Sequence, residues 1–156
     1  VTTYGISGHQ KAPLSVWNLL TARLPEILGD PPFVAVSSLA AGADQRFAED
    51  VVARGGALHV VLPSSNYESS FDHPDDLDRY KTLLSRASRV ETLDFAEPAE
   101  SAYLAAGQRV VDLCDVLVAV WDGLPAQGKG GTADIVSYAR SIGKMVNVIW
   151  PTGVRR

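Results

Sequence analysis

Asp115-Val116-Leu117-Val118-Ala119-Val120-Trp121-Asp122-Gly123, leading on to Gly128-Lys129-Gly130-Gly131-Thr132-Ala133-Asp134, has the form of a strand, a glycine-bearing turn and the start of a helix. Val116 to Trp121 is apolar at every position. A strand wetted on one face alternates apolar and polar residues, so a continuous run means helices on both faces of its sheet.

The same unit recurs outward in both directions. Further strand-like runs are Thr2 to Ser7, Phe33 to Ser38, Ala57 to Leu62, Val90 to Asp94 and Met145 to Trp150. Between them, Leu14 to Leu28 sets Val16, Leu19, Leu20, Leu24, Ile27 and Leu28 at helical spacing, and Pro31-Pro32 marks its exit. Ala43 to Arg54 carries Phe47, Val51 and Val52 on one stripe and stops at Gly55-Gly56. Leu77 to Ala87, Ala99 to Leu113 and Ala133 to Ile142 supply three more helices. Strand and helix alternate from end to end without an internal repeat, which points to βαβ units. The expected fold is a Rossmann-like three-layer α/β/α sandwich, with a mostly parallel sheet of about six strands. The 156 residues fit one domain spanning 1–156.

Composition sets outer limits. Hydrophobic residues make up 46% and charged residues 21%, an ordinary globular balance. The net charge is −4, and no cluster of Lys and Arg interleaves with aromatic residues, so nucleic acid is not expected as a partner. Cys114 has no second cysteine to pair with and reads as a small buried side chain, in keeping with a reducing cytoplasm. No apolar run approaches the ~20 residues that span a bilayer, so no membrane association is expected. Val1 to Ser7 reads as a strand and not as the core of a signal peptide, while the absent initiator Met leaves room for a removed leader.

In open α/β sheets ligands bind outside the carboxyl ends of the strands. The candidate site residues therefore sit at strand exits. The first exit is Ser7-Gly8-His9-Gln10-Lys11, and the second runs from Ser37-Ser38 to Gly42-Ala43-Asp44. The third is Asp122-Gly123 with the glycine run after it. Gly130 and Gly131 let backbone pack against a ligand while Thr132 and the opening helix amides offer donors to an anion, with Lys129 adding charge. Equally, the turn is a tight loop in which Thr132 caps a helix and Lys129 is solvated. Gly42 permits close approach at a helix start, and Asp44 either accepts hydrogen bonds from ribose hydroxyls or favours the positive end of its own helix. His9 is a phosphate donor, an acid/base group or an exposed loop histidine. Asp122 holds a base or sugar, or serves the Asp122-Gly123 turn. The segment Pro63 to Asp78, with Asn66, Tyr67, Phe71 and four aspartates, is either a lid or interface loop, or a solvated entry to a helix.

His9, His59 and His73 lack metal-binding spacing with the carboxylates, so no metal site is expected. Nor does the sequence contain a G-x-S-x-G elbow, a Walker A loop or a complete G-x-G-x-x-G after the first strand.

Taken in order, Gly5-Ile6-Ser7-Gly8-His9, Ser38-Leu39-Ala40-Ala41-Gly42-Ala43-Asp44, Asp115 to Gly123 and Gly130-Gly131-Thr132-Ala133-Asp134-Ile135 resemble the SLOG superfamily. That Rossmann-like group includes the Lonely Guy phosphoribohydrolases, the DNA-processing A proteins and the nucleotide-sensing regions of TRPM channels. The resemblance spans nearly the whole chain. It implies a site for a nucleotide or nucleotide derivative, with Gly130-Gly131-Thr132 on phosphate and the Gly42 to Asp44 turn beside it. The phosphoribohydrolase branch carries a glutamate three residues after the threonine. Here that position is Ile135, and Asp134 lies ~100° away around the helix.

The leading expectation is a nucleotide-binding sensor or carrier that requires no cofactor. The enzymatic alternative is a nucleoside-monophosphate N-glycosidase, a hydrolase in which Asp134 or Asp122 stabilises the oxocarbenium-like sugar and His9 assists the leaving base. A third alternative is a protein-interaction domain without a working pocket, its Asp72 to Asp78 loop facing a partner. Apolar residues on the helix Ala99 to Leu113, Tyr103, Leu104, Val110 and Val111, either pack on the sheet or support a homo-oligomer.

Overall fold

An apolar strand stays dry only when helices cover both of its faces, and the chain arranges itself accordingly. The computed structural model describes residues 1–126 and 131–156. In chain order the elements are β1 (Thr2–Gly8), α1 (Leu14–Leu28), β2 (Phe33–Ser37), α2 (Ala43–Ala53), β3 (Ala57–Leu62), a short 3-10 turn (Tyr67–Ser70), α3 (Pro74–Ser85), β4 (Arg89–Thr92), α4 (Glu100–Leu113), β5 (Val116–Val120), α5 (Thr132–Ser141) and β6 (Met145–Ile149). Every strand pair is parallel, in the order β4-β3-β2-β1-β5-β6. The chain steps from β1 outward to β4, then returns to β5 on the other side of β1. Strand order reverses between β1 and β5, where a crevice must open at the carboxyl ends.

Strand periodicity divides the core. Leu58 and Val60 of β3 and Val118 and Val120 of β5 join Leu20, Leu24, Phe47 and Val51 of α1 and α2 on one face. The intervening residues Leu117 and Ala119 meet Val111 and Ile135, and Val36 and Val61 meet Ala106 and Val110, on the face that α4 and α5 cover. Each large apolar side chain buried this way contributes about 1.5–3 kcal/mol. Val110 and Val111 are therefore spent on the sheet, so these two residues are not available to the self-association considered for this helix. Cys114 is buried at the end of α4.

The differences from the expected elements are local. α3 starts at Pro74, before the apolar periodicity begins at Leu77, because proline suits the first helical turn and Asp75 and Asp76 face the positive helix end. At the edge, β4 is short and carries Arg89 and Glu91, features that discourage further strand pairing. Among the described residues no helix is long and apolar enough to cross a membrane.

Candidate functional site: a cleft at the strand exits

A cleft of about 500 Å³ opens at the carboxyl ends of β1, β2 and β3, beside the β1–β5 reversal. Gly8 and His9 of the first exit, Ser38 and Asp44 of the second, and Gly131 and Thr132 at the start of α5 line it together. Gly42, Ala43, Asp122, Gly123 and Asp134 do not line it, and Lys129 and Gly130 lie outside the described residues.

Packing explains the first of these placements. Gly42 has φ +85°, and a Cβ there would overlap the backbone of Gln10, so the close approach it permits is to the chain itself. The Ala43 amide donates to the His9 carbonyl at 3.2 Å, and the Ala40 amide donates to Asp44 Oδ2 at 3.4 Å. Several donors around the start of α2 are thus already engaged by internal acceptors. At α5 no side chain among the described residues caps the helix, and Gly131, Thr132 and Ala133 face the cleft. The first amides of a helix have no partner within it, so this end is suited to an anion.

Asp44 is only 8% exposed. Burial pushes its carboxyl up to about 7, against the opposing pull of the Ala40 and Ser38 amides. Close by stands Tyr67, buried, with its hydroxyl raised well above the ordinary range by burial and by the Asp44 charge. Tyr67 packs edge-on against Phe71 and Tyr80, centroids 5.3 and 5.5 Å away. The polar segment 63–78 is therefore anchored by an aromatic cluster, and Tyr67, Phe71 and His73 from it form a wall of the cleft. Tyr103 of α4 lines the cleft as well.

His9 is fixed from several sides. Its amide donates to the Val120 carbonyl at 3.2 Å, and its ring meets Trp150 edge-on at 5.5 Å. Nε2 lies 3.4 Å from Asp122 Oδ1, and Nδ1 lies 3.0 Å from Nη1 of Arg156. Burial and the Arg156 charge lower the basicity of the ring, while Asp122 opposes them. An arginine can only donate, so it directs an N–H at Nδ1, while Nε2 meets both the Asp122 amide, which donates to it at 3.2 Å, and the Asp122 carboxylate. The Asp122 side chain is 3% exposed. Burial acts to raise its pKa, but the Leu124 amide, His9 and Arg156 outweigh it and hold the carboxyl below its ordinary value. Asp122 thus acts on the cleft through His9 and Arg156, and Asp134 is exposed on α5.

Arg156 and Tyr103 were missed by sequence reading. Nothing local marks an arginine seven residues beyond β6, although an aromatic stranded in the polar 63–78 segment does hint at Tyr67. Among the described residues no group of three or more His, Cys, Asp or Glu side chains gathers as a metal site would require.

No protein-family model and no curated protein sequence matches the chain. Solved structures do. The chain is similar to DNA processing protein A (DprA) from Streptococcus pneumoniae, with a TM-score of 0.75 and 14% identity, over 97% of this chain and 51% of that one. It is similar also to DNA processing protein A from Helicobacter pylori, described for its single-stranded DNA binding mode, with a TM-score of 0.72 and 18% identity over 98% and 67%. The structural genomics target TM1055 follows with a TM-score of 0.57 and 16% identity over 94% and 72%. These likenesses define the class: the chain has a Rossmann-like α/β fold, shared with the DNA-processing A proteins. It spans about half the length of the Streptococcus pneumoniae protein.

One expectation is corrected here. The exclusion of nucleic acid as a partner does not stand, since a protein of this same fold binds single-stranded DNA. The inference failed because −4 is a sum over the whole chain. Phosphates are met by a local surface, and backbone amides at a helix start do not appear in a count of charged residues.

Proposed function

We propose that the cleft binds a nucleotide or nucleotide derivative and that the domain serves as a sensor or carrier of it. The carrying observation is the union in one cleft of the uncapped start of α5 with a wall containing Tyr67, Phe71 and Tyr103. An anion binds at the first and a base or sugar packs on the second. The volume of about 500 Å³ lies within the range of small-molecule sites. Cleavage of the ligand is less well supported, since neither Asp122 nor Asp134 lines the cleft.

The test is thermal unfolding against adenosine and guanosine monophosphates, ADP-ribose, a dinucleotide and a short single-stranded oligodeoxynucleotide, with each sample assayed for free base. A ligand at a hundred times its Kd adds about 2.7 kcal/mol, a rise of roughly 5–10 °C for a chain of this size. A mononucleotide shift without free base supports the sensor reading. Released base makes the domain an N-glycosidase. A shift with the oligodeoxynucleotide alone assigns the surface to strand binding, and no shift at all overturns the nucleotide reading.

A further inference from the structure

Asp122 Oδ2 is buried and without a hydrogen bond, and its nearest cation is Nε of Arg156 at 3.4 Å. A carboxylate removed from water in this way requires a counter-charge. The Arg156 side chain supplies it while remaining 28% exposed. One of its terminal nitrogens touches His9 Nδ1 at 3.0 Å, and Arg156 lines the same cleft as Gly131, Thr132 and Ala133. The chain approaching it is folded back, with Trp150 Nε1 donating to the Val154 carbonyl at 2.8 Å.

A guanidinium presents its N–H groups in a rigid planar fork. Here Nε faces Asp122 and Nη1 faces His9, so the other edge of the fork has no acceptor of its own among the bonds of the described residues. Resting on the nucleotide reading of the cleft, we propose that Arg156 is its anion-binding side chain, held in place by buried Asp122 and His9, and that it takes the phosphate group of the ligand together with the start of α5. The proposal makes Asp122 a positioning residue and gives Arg156 a role that no motif in the sequence suggests.

Inorganic pyrophosphate, adenosine monophosphate and adenosine are titrated by calorimetry into the full chain and into Arg156→Ala, Arg156→Lys and Arg155→Ala. The His9 ring resonances are followed by NMR in parallel. Arg155 is exposed, lies outside the cleft and controls for the loss of one positive charge. The expected result is a loss of about tenfold in affinity for both phosphate-bearing probes in Arg156→Ala, at a Coulombic strength ordinary for one charged hydrogen bond. Adenosine and Arg155→Ala should be unaffected, Arg156→Lys should be intermediate, and pyrophosphate should shift the His9 resonances only while Arg156 is present. Equal affinities of Arg156→Ala and the unaltered chain for adenosine monophosphate would overturn the proposal and leave the nucleotide site standing. Arg156-dependent binding of pyrophosphate with no binding of either adenosine compound would uphold the anion site and remove the nucleotide reading. Absence of pyrophosphate and nucleotide binding alike would remove both.

Discussion

Two sets of a histidine, a carboxylate and an arginine are built into this domain, and they differ in nearly every property that matters. His59, Glu91 and Arg109 lie on β3, β4 and α4; His9, Asp122 and Arg156 lie beyond the ends of β1, β5 and β6. Both histidines are 8% exposed, and in both sets Nε2 stands 3.4 Å from a carboxylate oxygen. Arg109, however, grips both oxygens of Glu91, at 2.6 and 3.3 Å, and its hydrogen bond is the main reason the Glu91 carboxyl stays below its ordinary value. Arg156 makes a looser contact with one oxygen and divides its donors between Asp122 and His9. The first set fastens an edge strand to a helix and touches no cleft. In the second, two of the three members face the cleft. Histidine, carboxylate and arginine thus act as a fastening where the arginine closes on the carboxylate, and as a candidate site where bonds remain to be made at a strand exit.

Asp44 departs furthest from both sets, because its carboxylate is met by backbone amides and not by an arginine. Its folded value of about 7 lies above the ordinary 3.8. As pH rises past about 4 the unfolded chain ionises first, so stability falls until the folded value is reached and then levels off. Asp44→Asn should abolish that fall, a gain of at most about 4 kcal/mol at pH 8 and none near pH 3.5, read from urea midpoints. A gain equal at both pH values would rule out burial of the charge as its cause.

Within the two sets, Asp122→Ala should be the more damaging truncation. It strands the Leu124 amide and a buried imidazole, at about 2 kcal/mol. Glu91→Ala should cost about 1 kcal/mol, and less in 1 M salt, since the Arg109 side chain is 41% exposed. Denaturation of both variants at low and high salt measures the contrast, and equal salt sensitivity would erase it.

The smallest expected effect belongs to His9. Its basicity is lowered by burial and by Arg156, so the folded chain binds fewer protons and loses stability as pH falls through the unfolded value near 6.5. His9→Gln should flatten that part of the stability profile, and Arg156→Ala should flatten it partly. An unchanged slope in both would show that the ring does not titrate with folding.

Much of the fold was legible because it rests on short-range pattern. Val116 to Val120 is apolar throughout, and α1 buries Val16, Leu20, Leu24 and Leu28 at helical spacing, which no other packing of those residues would satisfy. Of the candidate residues read at strand exits, Gly8, His9, Ser38, Asp44, Gly131 and Thr132 line the cleft. Two things depended on distant partners and could not be read. The start of α2 looks as open as that of α5, yet the His9 carbonyl already takes the Ala43 amide, and the Asp44 carboxylate takes the Ala40 amide just before the helix. Arg156 looks like solvated charge until the burial of Asp122, far away in sequence, gives it a counterpart.

The seam in which Gly8 fits against Ala43 and Val120, and the His9 carbonyl holds the Ala43 amide, has a kinetic consequence. It ties β1, α2 and β5 together in the folded chain, so the floor of the cleft is in place without a ligand. A preformed floor asks for no slow rearrangement at encounter. Ligands that share a phosphate should then associate at similar rates, and their differences in affinity should appear as differences in residence time.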